Sequence, residues 1–441
     1  MARKRYAMVG LGSRSRMFSQ ALLAAHADVG ELVALCDVNQ ARMDFQNKRF
    51  AERFDAAPIP TYGASEFVRM LHECAVDAVI VTSMDRTHDH YIVAAMEHGC
   101  DVVTEKPLTT DEVKCQHILD AQQRTGRELT VTFNYRYAPR NSAVKELIAS
   151  GAIGEVQSVH FEWLLDTRHG ADYFRRWHRD KRNSGGLMVH KSSHHFDLVN
   201  WWIDAVPQTV FGFGDLRFYG RANAENRGER VRSDRSHGSG EVGINPWAID
   251  LADEPELKGL YLDAEHEDGY IRDRNVFSDG ISIEDDMAVL VRYNTGATLT
   301  YHLTAYSPWE GYRVGFNGTK GRIELAVIER SYVSGEVIDP NAAGADQPGN
   351  EPIDHTRLTV QNLWGKARRV EVDEEGGGGH GGGDRRLLAD VFGGRSEPDP
   401  LGRAAGPIDG AYAMLTGAAA NRSFATGLPV QIADLVSFPG T

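Results

Sequence analysis

Tyr6-Ala-Met-Val9-Gly10-Leu-Gly12-Ser13-Arg14-Ser15 reads as a short apolar strand that breaks into a glycine turn and restarts as a helix. Gly10 permits the tight turn, and Gly12 lets a ligand's pyrophosphate approach the backbone. The following helix offers free N–H groups and the positive end of its dipole to phosphates. Ser15 stands where a third glycine is common, so helix–strand packing there must accept a small hydroxyl. A carboxylate, Asp37, ends the next apolar run, Glu31-Leu-Val-Ala-Leu-Cys36. At that position it can accept hydrogen bonds from both ribose hydroxyls of an adenosine, and it repels a 2′-phosphate. Turn and carboxylate together point to a dinucleotide, with NAD favoured over NADP because Val38 and Asn39 bring no arginine. The expected cofactor set from this segment is Gly10, Gly12, Ser13, Arg14, Ser15 and Asp37.

Outward from this unit the pattern repeats. Further strand candidates are Ala78–Val81, Asp101–Thr104 and Leu129–Thr132, separated by helix-like segments at Gln40–Phe54, Ser65–His72, His88–His98 and Thr110–Thr125. Strand–helix alternation predicts an N-terminal doubly wound parallel sheet over residues 1–135. Beyond Pro139 the texture changes. A helix at Asn141–Ser150 is followed by the alternating run Val156–Leu165. Hairpin-like pairs then follow at Met287–Tyr293 with Ala297–Ala305, and at Arg313–Asn317 with Arg322–Leu325. Residues 136–441 are therefore expected to form an α+β domain with a mostly antiparallel sheet. Excursions interrupt it near 219–280 and 339–384, and a helix over Asp409–Gly427 closes the chain. Long excursions of this kind serve as functional covers or stay mobile.

Composition narrows the partners. The chain has 441 residues with 48 Lys and Arg against 62 Asp and Glu, a net charge of −14. A duplex-binding surface needs a basic patch, so nucleic acid is not expected. No apolar run approaches the roughly 20 residues that span a bilayer, and no signal-peptide pattern opens the chain. Cys36, Cys74, Cys100 and Cys115 show no paired or zinc-finger spacing, as in a reduced cytosolic protein.

Two segments carry candidate chemistry. Glu105-Lys106-Pro107 follows a strand and so sits at the carboxyl end of the sheet, where open α/β folds bind ligands. A lysine there can donate to a substrate hydroxyl, and apolar walls would lower its pKa. The second segment runs from Gly185 to Trp202 and holds His190-Lys191-Ser192-Ser193-His194-His195-Phe196-Asp197. On one continuous helix His190 and His194 would share a face, and Asp197 would stand one turn beyond His194, able to orient it as a general base. The H-x-x-x-H spacing also occurs in zinc sites, but a lysine follows the first histidine where a metalloprotease has glutamate. No metal is expected. His380-Gly-Gly-Gly383 lacks any accompanying G-x-S-x-G nucleophile, which removes serine-hydrolase chemistry.

Taken in order, Gly10-x-Gly12, Asp37, the Thr82–His88 segment, Glu105-Lys106-Pro107, Asn134-Tyr135-Arg136 and the His194/Asp197 segment resemble the Gfo/Idh/MocA oxidoreductase family. The resemblance implies a Rossmann domain followed by an α/β domain with a large, open, mainly antiparallel sheet whose flat face forms homodimer or homotetramer interfaces. It makes Lys106 and His194 the catalytic pair and adds Thr82, His88, Glu105 and Lys106 to the cofactor set. Tyr135, Arg136, Trp163, His190, Lys191 and Asp197 become candidate catalytic or substrate contacts. The family's D-x-G-x-H-x-x-D pattern is altered here, with His190 in place of the aspartate and Ser192 in place of the glycine.

The expected function is a cytoplasmic NAD-dependent dehydrogenase acting on a ring carbinol of a sugar, cyclitol or glycoside. One alternative is an NAD-retaining glycoside hydrolase or lyase that works by transient ring oxidation. The other is a non-catalytic nucleotide-binding regulator.

Overall fold

The structure is a computed structural model that describes residues 3–333, 355–372, 382–393 and 398–438. The expected excursion at Asp339–Glu351 and residues 373–381 of the glycine run, with His380, lie outside them. Strands β1 (Lys4–Val9), β2 (Gly30–Asp37), β3 (Thr61–Gly63), β4 (Ala78–Val81), β5 (Asp101–Thr104) and β6 (Leu129–Val131) form one sheet. Its order is β3-β2-β1-β4-β5-β6, parallel throughout. Successive side chains of a strand point to opposite faces, so this sheet feeds two cores. Ala7, Val9, Val79 and Val81 pack on one side, while Met8 and Ile80 pack on the other. That burial on both faces is why these strands read as unbroken apolar runs. Only β3 is absent from the sequence reading, because Thr-Tyr-Gly is a half-buried edge with no apolar run.

Strand order reverses between β1 and β4, and the loops after these two strands open the crevice where doubly wound sheets take ligands. Gly10 has φ +84°, and a Cβ there would lie 2.4 Å from the backbone of Ser83 in the loop after β4. Only glycine lets the two loops approach this closely.

The second sheet comprises β7 (Val156–Asp166), β8 (Pro207–Asp215), β9 (Asp286–Tyr293), β10 (Thr298–Ser307), β11 (Glu310–Gly318), β12 (Gly321–Arg330), β13 (Thr356–Asn362), β14 (Arg368–Val370) and β15 (Val430–Gln431). Its order is β14-β13-β12-β11-β7-β10-β9-β8-β15. All pairings are antiparallel except β7 with β10, which run parallel. Both expected hairpins are present. In β9, Met287, Val289, Val291 and Tyr293 are buried while Ala288, Leu290 and Arg292 face outward. The buried side carries Phe161, Trp163 and Tyr301, which meet Trp202 and Phe196 of the helix Ser193–Ile203.

The long C-terminal helix Pro407–Thr426 packs on Leu187–His190 and Ser193–Ile203. A Cβ at Gly417 would come within 2.2 Å of the Met188 carbonyl, so this glycine sets the depth at which the histidine-bearing segment lies. The four cysteines are buried and unpaired. No described helix is long and apolar enough to cross a membrane.

Candidate active site

A cavity of about 500 Å³ runs from the Gly10–Ser13 turn across the end of the parallel sheet to the segment 169–194 of the second sheet's helices. Its sheet end is built by local chain logic. The Ser15 hydroxyl donates to the Gly12 carbonyl at 2.7 Å and tightens the turn. Arg14 Nε donates to Glu105 Oε1 at 2.7 Å, tying the glycine loop to the loop after β5. Thr82 Oγ1 donates to the Gly10 carbonyl at 2.5 Å. His88 lines the wall, but its ring nitrogens face the carbonyls of Pro107 at 2.9 Å and Ser83 at 3.1 Å. It therefore braces two loops rather than reaching for a cofactor. The Lys106–Pro107 peptide is cis.

Asp37 differs from the sequence reading. Its carboxylate already accepts the Leu11 N–H at 2.6 Å, the Asn39 N–H at 3.0 Å and Arg42 Nη1 at 2.9 Å. An arginine does stand beside it, five residues along, in the first turn of the helix Gln40–Phe54. Arg42 also bonds Asp268 at 3.0 Å, so two carboxylates share one guanidinium and the corner remains net negative. Burial pushes Asp37 up, and Arg42 opposes that.

Asp268 belongs to the 219–280 excursion, which folds back over the dinucleotide end of the cavity. The Ser13 N–H donates to Tyr261 Oη at 2.9 Å, and the Ser13 and Tyr261 hydroxyls lie 3.0 Å apart. Asn39 Nδ2 donates to the Ala264 carbonyl at 2.9 Å. Tyr261, Asp268 and Tyr270 are thus cavity walls supplied from more than 200 residues downstream. The excursion's charge and glycine content gave the only sequence signal of a cover.

The fit to a dinucleotide can be judged from the loop itself. A Cβ at Gly12 would lie 3.2 Å from Tyr261 Oη, so any side chain would crowd the space between turn and tyrosine. With the Ser13 and Tyr261 hydroxyls, the Arg14 cation and the acidic Asp37 corner, the donor set suits a pyrophosphate at one end and a ribose at the other.

At the opposite end the segment 187–203 is not one helix. Leu187–His190 is a single turn, Lys191 and Ser192 form a break, and Ser193–Ile203 starts anew. His190 Nδ1 lies 2.5 Å from Asp85 Oδ2, a carboxylate from the loop after β4. Burial drives His190 well below its ordinary pKa, with the charges of Lys106, Arg176 and Lys191 pushing the same way. Burial likewise raises Asp85. Lys106 Nζ donates to the His190 carbonyl at 3.1 Å. Burial pulls this lysine down to about 8, against the attraction of Glu105 and Asp85. His194 also borders the cavity and stacks on Tyr135 with centroids 4.4 Å apart.

Three expected contacts are corrected. Asp197 does not orient His194: it forms a buried bidentate pair with Arg136, Nη2 to Oδ1 at 2.6 Å and Nε to Oδ2 at 2.8 Å. Arg136 is consumed by that pair and by Asp409 at 2.9 Å, because two charges taken out of water must neutralise one another. Trp163 is 1% exposed and forms a floor, stacked between His195 and Tyr312. Lys191, which does line the cavity, lies over that indole at 4.7 Å and donates to Tyr135 Oη at 3.3 Å. Tyr135 and Trp163 therefore act through Lys191 and His194. Asp85, Arg176 and His178 border the cavity and were missed by the sequence reading.

Comparison with known proteins agrees with this architecture. Residues 4–133 match the family model described as "Oxidoreductase family, NAD-binding Rossmann fold". Residues 145–432 match "Oxidoreductase family, C-terminal alpha/beta domain". The chain is 35% identical over 456 aligned positions to "Putative oxidoreductase YteT" of Bacillus subtilis, covering 98% of each chain. It is 29% identical to an inositol 2-dehydrogenase of Rubrobacter xylanophilus, over 31% of this chain and 37% of that protein. Among solved structures, the WlbA dehydrogenase from Bordetella pertussis, in complex with NADH and UDP-GlcNAcA, superposes with a TM-score of 0.61 at 17% identity, covering 98% and 99% of the two chains. The aldose-aldose oxidoreductase from Caulobacter crescentus does so with a TM-score of 0.61 at 18% identity, covering 98% and 100%.

Proposed function

The chain belongs to the Gfo/Idh/MocA oxidoreductase family, and from that premise we propose that it is an NAD-dependent dehydrogenase of a sugar, cyclitol or glycoside ring carbinol. The reading rests on one observation: Lys106 from the parallel-sheet unit and His194 from the second unit border the same cavity as the Gly10–Gly12 turn. A bound nicotinamide dinucleotide would supply the hydride acceptor. His194 takes the proton of the carbinol hydroxyl. The Lys106 ammonium donates to the same oxygen and stabilises the negative charge that develops on it. The net-negative Asp37–Arg42–Asp268 corner supports NAD over NADP, since a 2′-phosphate there would meet two carboxylates and one guanidinium.

The boundary between the two units is proposed at 135/136, within the short turn that follows β6. Outward-facing Phe213 and Leu290, 67% and 52% exposed on the open sheet, support a homo-oligomer formed through that face. A glycine turn fitted to a dinucleotide at the sheet end and acid–base groups at the other favour catalysis over a purely regulatory role.

The test is turnover of a carbohydrate panel with NAD and with NADP, following both the reduced nicotinamide and the released sugar. Net NADH formation, lost in His194→Asn with dinucleotide affinity retained, is the expected result. Sugar release without net NADH would replace this reading by redox-neutral glycoside cleavage. Unchanged turnover in His194→Asn would remove His194 from the chemistry.

A further inference from the structure

Among the described residues, the substrate end of the cavity has more positive charge than its carboxylates neutralise. Lys106, Arg176 and Lys191 all border it. Asp85 and Glu105 face Lys106, with Glu105 also holding Arg14 at 2.7 Å, while Glu310 and Glu329 face Lys191. The surplus lies around Asp172. Asp172 is shared between Arg272 and Arg176, both at 2.8 Å, with Arg175 at 3.8 Å. Among the described residues the two lysines donate to neutral acceptors, the His190 carbonyl and the Tyr135 hydroxyl. Arg176 Nε lies 2.8 Å from an Asp172 carboxylate oxygen and donates to the Asp172 carbonyl at 3.4 Å. Neither of its amino groups makes a hydrogen bond among the described residues.

The excess is not a general basicity, since the whole chain carries −14. Nor is it relieved by the neighbouring imidazoles. His178 is 3% exposed and stacks on Trp177 with centroids 3.6 Å apart, and its Nδ1 lacks a hydrogen-bond partner among the described residues. Burial and the adjacent Arg176 hold it well below its ordinary pKa. Buried cations without counter-charge are destabilising unless a ligand supplies the anion.

We propose that the substrate is a carboxylated sugar, of the uronate kind, whose carboxylate is received by the free edge of Arg176. A guanidinium presents two parallel N–H groups that match a planar carboxylate. Lys191 adds attraction, while Lys106 and His194 remain for the carbinol. This deepens the dehydrogenase reading and rests on it for the identity of the reacting group.

The experiment is calorimetric binding to the full-length protein saturated with dinucleotide, with turnover measured alongside. The probes are D-galacturonate and D-glucuronate, their neutral partners D-galactose and D-glucose, and glucose 6-phosphate. The uronates should bind roughly 10- to 100-fold tighter than the neutral hexoses, the range of a charge-assisted contact. Arg176→Gln should erase that preference and Arg176→Lys should restore part of it. If the glutamine variant does not fold, judged by its melting curve, the fractional preference of the lysine variant decides. Equal binding of acid and neutral sugar, tighter binding of the phosphate, or a preference that survives loss of the guanidinium overturns the proposal. Uronate-selective binding without hydride transfer would uphold it and sink the dehydrogenase reading. Hydride transfer from neutral hexoses alone would do the reverse.

Discussion

Replacing Lys106 by methionine should make the protein more stable while abolishing its turnover. Burial lowers this lysine from 10.5 to about 8, so the folded state carries an ammonium it holds at a disadvantage. At 1.36 kcal/mol per pH unit the drop corresponds to at most about 3 kcal/mol. Part of the side chain borders the open cavity, where water relieves the penalty. About 2 kcal/mol is therefore the expected gain on replacing it by an apolar chain of similar length. The sign follows from proton counting. Below pH 8 both folded and unfolded chains hold the proton, and the penalty is fully present. Between about 8 and 10.5 the folded protein releases it first, the unfolded state binds more protons, and wild-type stability rises towards that of the variant. The advantage of Lys106→Met should thus be complete at pH 7 and gone near pH 10.5.

With an unfolding entropy of about 2 cal/mol/K per residue, 2 kcal/mol in a chain of this size moves Tm by about 2 °C. Urea midpoints at pH 7 and pH 10 are the more sensitive assay. In the same protein kcat/KM should fall by about 10²- to 10⁴-fold, the range of a lost acid–base group. Wild-type kcat/KM should decline above pH 8 as the ammonium is lost. A variant no more stable than wild type at pH 7, or one whose advantage grows with pH, would refute the reasoning.

Two further outcomes separate structural from catalytic roles. Asp197→Asn leaves Arg136 with Asp409 as its remaining carboxylate and should lower stability by about 1–3 kcal/mol; denaturant titration reads this, while kcat/KM should change no more than a few-fold. A large kcat loss at unchanged stability would return Asp197 to the orienting role expected from its spacing. Tyr261→Phe removes the hydroxyl that faces the Ser13 amide and should weaken dinucleotide binding about 5- to 30-fold by calorimetry. Unchanged or tighter binding would mean that Tyr261 only occupies that amide.

What could be read residue by residue was local. Val9, Gly10 and Asp37 announce a strand, a turn and a strand end through their own conformational preferences. Lys106 is placed by the strand just before it, at the carboxyl edge of the sheet. The errors came where a side chain had two candidate partners. Spacing offered Asp197 to His194, but Arg136 approaches from 61 residues away and binds both its carboxylate oxygens through the Nε–Nη2 edge. Spacing likewise joined His190 and His194 on one helix, which the break at Lys191–Ser192 divides. Asp37 was read with its immediate neighbours only, and Arg42 lay one helical turn outside that window.

The sequence by itself determined the doubly wound unit, the mostly antiparallel second sheet and the loops that carry Lys106 and His194, through apolar periodicity and turn chemistry, which act over a few residues. The family was legible as a resemblance carried by the order of its motifs. Tertiary structure alone decided which groups face one another: Asp85 with His190 across 105 positions, Ser13 with Tyr261 across 248, and Arg176 beside Lys106 and Lys191 at one cavity. Such pairings are fixed by the need to neutralise or hydrogen-bond every charge taken out of water. That requirement is settled by what the packed chain brings close, and no local pattern records it.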